Sequence, residues 1–266
     1  MLATVFTALP RALWFTATCL FAARHTPRAR ILIIVMAVFI AFFMERAMHE
    51  PSFMRHFTYW VLMLSTVFAV VWVVAIGADA KGDPSQPRGQ SFPEARDPPP
   101  ISSWAMSNES AVLTVFLFPV VACLLMVMLL IVALPLFSSE MIEKQTEGMD
   151  LGVANAANFV IHTVPFMLFG GMGIIRRHEI RQAATFMTTL VRQRFGDKGV
   201  FKVQSAVCAT NSIVGPTSLA CLYVSFFNPN TEYTADAPVK FLMLGSVITL
   251  VFVAYCQYVF MWALPA

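Results

Sequence analysis

Charge is what this sequence has least of. Asp, Glu, Lys and Arg make up 12% of its 266 residues, about half the ~25% of an ordinary soluble domain. That is too little polar side chain to cover a water-soluble fold of this size. No acid occurs before Glu45, and between Asp150 and Arg176 the only ionisable side chain is His162. Cysteine offers no framework either. Cys19, Cys123, Cys208, Cys221 and Cys256 each lie in an apolar segment, and no two are spaced as CxxC. This excludes a disulfide scaffold and a zinc site, and predicts buried packing thiols. No glycine-rich phosphate loop or nucleotide fingerprint is present. The Gly170–Gly173 run (GGMG) follows a helical pattern and is expected to serve close helix packing. No cofactor and no metal are implied.

What the chain has instead is apolar length: 58% of residues are hydrophobic, 24 are Phe and 16 are Met. Runs of about 18 or more apolar residues read as membrane-crossing helices. Six are legible, at 31–46, 57–77, 112–137, about 154–175, about 204–227 and about 241–263. The expected fold is all-α: a polytopic membrane helix bundle of six core transmembrane helices plus an additional N-terminal hydrophobic segment. Residues 1–30 form that hydrophobic and basic segment, and residues 31–266 the six-helix membrane domain. The 2–22 stretch, broken by Pro10 and Arg11, is long enough to span, to lie at the interface or to act as a targeting segment. Its arginines (Arg11, Arg24, Arg28, Arg30) suit a mitochondrial presequence and a cytosolic flank equally.

The loops set an orientation. Alternate loops carry thirteen bases against four, with seven of the thirteen (Arg176, Arg177, Arg181, Arg192, Arg194, Lys198 and Lys202) in the 176–203 loop alone. By the positive-inside rule both core termini face the cytosol. A net charge of +3 gathered at membrane-flanking loops implies an anionic leaflet as neighbour, not nucleic acid. Within the 78–111 loop, prolines at 84, 87, 93 and 98–100 predict a disordered linker. Asn108-Glu109-Ser110 matches a glycosylation sequon, but on the cytosolic side it is fortuitous. In 179–195, Ile180, Ala183, Ala184, Met187, Leu190, Val191 and Phe195 recur at helical spacing between arginines. That predicts a short helix on the cytosolic leaflet, with a solvated basic loop as the plain alternative.

His162 stands out in this background, flanked by Val160, Ile161, Val164 and Phe166. Ionisable side chains at membrane depth face a bundle interior or a wet cavity. The ordinary role is a neutral histidine bonded to a neighbouring helix, and Pro165 frees a carbonyl nearby. A second polar residue, Thr58 in "RHFTYW", opens the 57–77 span. On the six-span topology it lies near the same membrane face as His162. A hydroxyl becomes a nucleophile when a histidine within hydrogen-bond reach takes its proton. The ordinary role for such a threonine is a helix-start cap.

The order and spacing of several short pieces resemble the androgen-induced protein family. They are Phe57-Thr58, Phe118-Pro119 and Glu140-Met141-Ile142, then Asn158 four residues before His162, Thr163, and Pro165-Phe166. The resemblance covers roughly residues 31–263, with its specific motifs between 57 and 166. It implies a six-span membrane hydrolase of fatty acid esters of hydroxy fatty acids, with Thr58 as nucleophile and His162 as general base. Asn158, one helical turn before His162, and Thr163 would orient the ring or bind substrate. The sequence departs from the family at Phe159, where a second histidine is usual, and lacks a clear aromatic-Pro motif at 228–238. The first 30 residues and the proline-rich 83–100 stretch are additions.

The expected function is therefore acyl transfer on a lipid with acyl chains, drawn from the bilayer of the endoplasmic reticulum or plasma membrane. No acid can be assigned to orient His162, although Glu140 and Asp150 lie in the outer loop. Two other classes stand beside it. One is a non-catalytic accessory subunit of a membrane complex, mitochondrial if the N-terminus is a presequence. The other is a transporter, which calls for midplane charges or paired broken helices.

Overall fold

The computed structural model describes residues 55–81, 106–137, 151–228 and 239–263, and those residues are helical with no strand. The candidate spans at 31–46 and 2–22 lie outside them, as does most of the 78–111 loop. Helix α1 is Phe57–Lys81. Helix α2 comprises Asn108–Val112, a π-helical turn Leu113–Leu117, and Phe118–Phe137. Helix α3 is Leu151–Ile175 and α4 is Arg177–Ala209. A second π-helical turn, Thr210–Val214, leads into α5, Gly215–Phe226. Helix α6, Val239–Tyr258, ends in a third, Val259–Ala263.

Three stretches are long and apolar enough to cross a membrane: Phe57–Asp79, Asn108–Leu130 and Arg177–Phe226. The first two have 23 residues each, about 34 Å at 1.5 Å per residue, enough for a ~30 Å hydrocarbon core. Ile161–Ile175 and Thr249–Ala263 are shorter apolar helices.

The ends of α1 and α2 shorten the expected 78–111 loop, because residues 78–81 and 108–111 are helical. Ser107 caps the start of α2, its hydroxyl accepting the Ser110 N–H at 3.0 Å, and Asp79 reinforces it. Its carboxylate accepts the backbone N–H groups of Asn108 and Glu109 and the Asn108 side-chain amide, each at 2.9 Å. Those first-turn N–H groups have no acceptor within their own helix, and a carboxylate there also complements the helix dipole. The sequon asparagine is thus part of a helix start.

The core gathers where α1, α2, α3 and α5 meet. Phe57, Val61, Trp72, Leu113, Leu117, Leu124, Phe169 and Tyr223 are all almost wholly enclosed there. Phe68 of α1 touches Phe169 of α3 with ring centroids 5.6 Å apart, and stacks on Trp72 at 5.7 Å. Met63, Val67, Val71 and Val74 recur at helical spacing on the outer face of α1 and are exposed, the pattern of an apolar bundle exterior.

Each π-helical turn ends two residues before a proline in the sequence, at Pro119, Pro216 and Pro265. Proline has no N–H to give, and its ring crowds the carbonyl four residues back. Widening the preceding turn relieves that crowding, and leaves one carbonyl without its i+5 donor. For Pro119 that carbonyl belongs to Thr114, and the side-chain amide of Asn211 donates to it across 3.2 Å. The second π turn therefore supplies the bond that the first one loses. Pro165, inside α3, leaves its helix α throughout.

The basic 176–203 region departs from expectation. It is neither a loop nor a helix resting on lipid alone. Helix α4 turns sharply at Gly196, whose φ of 67° and ψ of −178° favour glycine. A Cβ on Gly199 would stand 2.3 Å from the Cβ of Phe195, so the two limbs approach too closely there for any larger residue. Ile180, Ala183 and Ala184 are buried against the bundle, and Trp262 donates its indole N–H to the Ala184 carbonyl. Leu190 and Phe195 are exposed, along with Arg192, Arg194, Lys198 and Lys202.

Two smaller expectations are corrected. Cys123 and Cys208 are buried thiols, but Cys221 and Cys256 are exposed, because they fall on the outer faces of α5 and α6. Of the Gly170–Gly173 run, only Gly173 meets a close neighbour, with Leu117 Cδ2 3.0 Å from where its Cβ would be. Gly170 and Gly171 face open space.

Candidate active site

Thr58 is the second residue of α1, and His162 lies near the middle of α3. The fold brings them together: Thr58 Oγ1 is 3.3 Å from His162 Nε2. They are 104 residues apart in the chain, so only the pairing of α1 with α3 makes the contact. Thr58 is 6% exposed and His162 8%. The pair is therefore screened from bulk solvent while remaining one residue inside the end of α1.

A buried imidazole in hydrogen-bond reach of a hydroxyl is the minimum arrangement for nucleophilic catalysis. In the tautomer with hydrogen on Nδ1, Nε2 accepts the Thr58 hydroxyl proton. A separation of 3.3 Å is at the long end of a hydrogen bond, as catalytic contacts often are before substrate tightens them. Because Thr58 is in the first turn, the N–H groups around it have no carbonyl four residues back within the helix.

Thr163 follows His162 on α3 and is half-buried. Asn158 lies one turn earlier on the same helix, and its side chain falls outside the described residues. So do Glu140 and Asp150. Pro165 is buried three residues beyond His162.

Around Thr58 the walls are aromatic. Phe57, Tyr59, Trp60, Tyr223 and Phe227 pack side by side, with the Phe57–Tyr223 centroids 5.3 Å apart and the Trp60–Tyr223 centroids 5.7 Å apart. The hydroxyl of Tyr223 donates to the Arg55 carbonyl, just ahead of α1. Nothing in the sequence pattern marks Tyr223 out, because it looks like one more aromatic in an apolar span.

The other end of the same helices holds a second polar group that no sequence spacing points to. Glu109, placed in a loop by the sequence pattern, is a buried helix residue, 7% exposed. Arg176 Nε donates to it at 2.8 Å and Nη2 makes a second bond to the other carboxylate oxygen. Trp72 Nε1 donates to the same carboxylate at 3.1 Å, and Arg176 also pairs with Glu179 at 3.0 Å. A third polar group lies between the second π-helical turn and α6. Ser212 donates to Gln257 Oε1 at 2.8 Å, and both residues are fully buried. Among the described residues no cluster of His, Cys, Asp and Glu has the make-up of a metal site.

No protein-family model, curated protein or solved structure matches this chain.

Proposed function

We propose that this chain is an integral membrane hydrolase of lipid esters, cleaving fatty acid esters of hydroxy fatty acids with Thr58 as nucleophile and His162 as general base. The observation that carries the reading is the buried 3.3 Å contact between these two side chains. The sequence resemblance to the androgen-induced protein family singles out the same two residues. In this reading the fold is a bundle of six core spans, with 31–46 as the first and 2–22 as a further hydrophobic segment.

The chemistry balances with the residues present. His162 Nε2 takes the proton as Thr58 Oγ1 adds to the ester carbonyl. The tetrahedral adduct collapses as the protonated His162 returns that proton to the departing alkoxide, which leaves as the hydroxy fatty acid. Water, deprotonated by His162, then attacks the acyl-threonine and releases the fatty acid and the threonine hydroxyl. Backbone N–H groups of the first turn of α1, or the Asn158 amide, would steady the oxyanion. With Thr58 near the end of a ~34 Å apolar span, the ester of a bilayer lipid reaches the pair sideways while its acyl chains stay among Phe and Met side chains.

The charge distribution supports a matching orientation. Arg176, Arg177 and the basic limbs of α4 gather at the end of the bundle opposite Thr58. Placing that end in the cytosol satisfies the positive-inside rule, and puts Thr58 toward the lumenal or outer face of an endomembrane or plasma membrane.

The decisive assay is hydrolysis of a fatty acid ester of a hydroxy fatty acid by membranes expressing the chain, with Thr58→Ala and His162→Ala at matched protein level. Loss of activity in both variants is the expected result. Wild-type membranes with folded protein and no hydrolysis would overturn the reading in favour of a structural subunit.

A further inference from the structure

We infer that Tyr223 is a positioning residue for Thr58: its hydroxyl holds the Arg55 carbonyl, and that bond sets where α1 begins and so where the nucleophile stands. The inference rests on the hydrolase reading for its kinetic consequence, but its structural part can be tested alone.

Three facts make the clamp. Tyr223 is wholly buried, and its ring is held on several sides, by Phe57 at 5.3 Å, Phe227 at 5.5 Å and Trp60 at 5.7 Å between centroids. A tyrosine this constrained can aim its hydroxyl in one direction, and that direction is the carbonyl of Arg55, 168 residues away in sequence. The backbone around the target makes the tight turn common at helix starts, with the N–H of Tyr59 bonded to the His56 carbonyl at 3.0 Å. For α1 to start one residue earlier, that N–H would have to bond to the Arg55 carbonyl.

The tight turn and the clamp explain each other. With the Arg55 carbonyl turned to Tyr223, Tyr59 bonds to the nearer acceptor and α1 opens at Phe57. Thr58 is then fixed in the first turn, where its hydroxyl meets His162 at 3.3 Å. Without the tyrosine hydroxyl, the Arg55 carbonyl is available to Tyr59, and α1 is no longer held to a start at Phe57. Thr58 moves with it. A displacement of about 1 Å at a reacting atom costs up to ~100-fold in rate.

Tyr223→Phe tests this, since it keeps the ring and its packing and removes only the oxygen. The full-length protein in detergent or nanodiscs is compared with wild type by three measurements. Amide hydrogen exchange across residues 55–60 should accelerate in the variant, with exchange in α3 unchanged. Ester hydrolysis should fall roughly 10- to 100-fold in kcat with KM within about twofold, and the melting temperature should stay close to wild type. Equal exchange at 55–60 overturns the clamp, and equal kcat with accelerated exchange overturns its role in positioning. If wild type itself hydrolyses nothing, the hydrolase reading falls and the exchange result alone decides the clamp. Should Tyr223→Phe fold poorly, replacing Tyr223 with 4-aminophenylalanine provides the second route. It keeps the ring and a donor at the same place, so exchange at 55–60 and kcat should stay close to wild type, and accelerated exchange in that variant would overturn the clamp.

Discussion

Helices α1 and α3 run side by side, and their two ends carry very different polar chemistry. Fourteen residues separate Thr58 from Trp72 on α1, and fourteen separate His162 from Arg176 at the end of α3. The two contacts are therefore about 21 Å apart along parallel helices. At one end, a hydroxyl and an imidazole share a 3.3 Å contact. At the other, Glu109 of α2 receives both Arg176 nitrogens and the Trp72 indole, while Asp79 caps the helix that carries Glu109. One neutral hydrogen bond contributes about 0.5–1.5 kcal/mol. A buried, bidentate ion pair is costly to break, about 3–5 kcal/mol when one partner is removed. The charged end fixes α1, α2 and α3 in register, and at the other end burial of Phe57 and Tyr223 holds the fold, so that the Thr58–His162 contact itself carries little stability.

That contrast can be broken experimentally. The largest expected effect is on activity: Thr58→Ala or His162→Ala should lower hydrolysis by about 1,000-fold or more, with the melting temperature nearly unchanged. A large loss of stability in either variant would erase the distinction between the two ends.

Next comes stability at the charged end. Arg176→Met should cost about 3–5 kcal/mol, because it strands the Glu109 carboxylate in an apolar site. Pairing it with Glu109→Gln should recover much of that loss. Thermal unfolding of both variants checks this, and hydrolysis per folded molecule should match wild type in each. Single and double variants of equal stability would mean that the two side chains do not act as a pair.

The bond between the π turns offers a smaller and sharper test. Asn211→Ala should cost about 1–3 kcal/mol by leaving the Thr114 carbonyl unmet. In a Pro119→Ala background the loss should shrink, since an alanine in place of the proline restores the missing backbone donor. Additive losses in a double-mutant cycle would show that Asn211 stabilises the bundle by some other contact. The smallest effect is expected for Asp79→Ala, about 1 kcal/mol or less, because the carboxylate at the first turn of α2 is lost while the Ser107 cap remains. Faster amide exchange confined to the first turn of α2 is the signature to look for.

How much of this is legible in the sequence differs between helix and contact. Helices α1, α2 and α3 follow the apolar runs at 57–77, 112–137 and 154–175 closely, because a long apolar run has few alternatives to a buried helix. Their ends differ from the apolar runs by a few residues, where Asp79 and Glu109 look like loop residues but cap and anchor helix starts. The basic 176–203 stretch is harder. Its arginines point to a lipid surface, but Ile180, Ala183 and Ala184 find a bundle face to bury against. Thr58 and His162 are candidates by their chemistry and are singled out by the family resemblance, whereas nothing in the sequence points to Tyr223, Arg176 or Gln257. Their partners are remote in sequence, and an aromatic or an amide inside an apolar helix carries no local mark of what it will meet.

The sequence by itself determined the helical class and the long apolar runs, since both follow from hydrophobic length; a missing N–H does not decide a widened turn, which precedes Pro119 and Pro216 but not Pro165. Only the tertiary structure decided that Asn211 would serve Thr114, that Arg176 would reach Glu109, and that Thr58 would stand 3.3 Å from His162. Those outcomes depend on the register and rotation of helices against one another. A turn of about 100° between successive residues is enough to bring a side chain into a contact or carry it away, and packing across the whole bundle sets that angle.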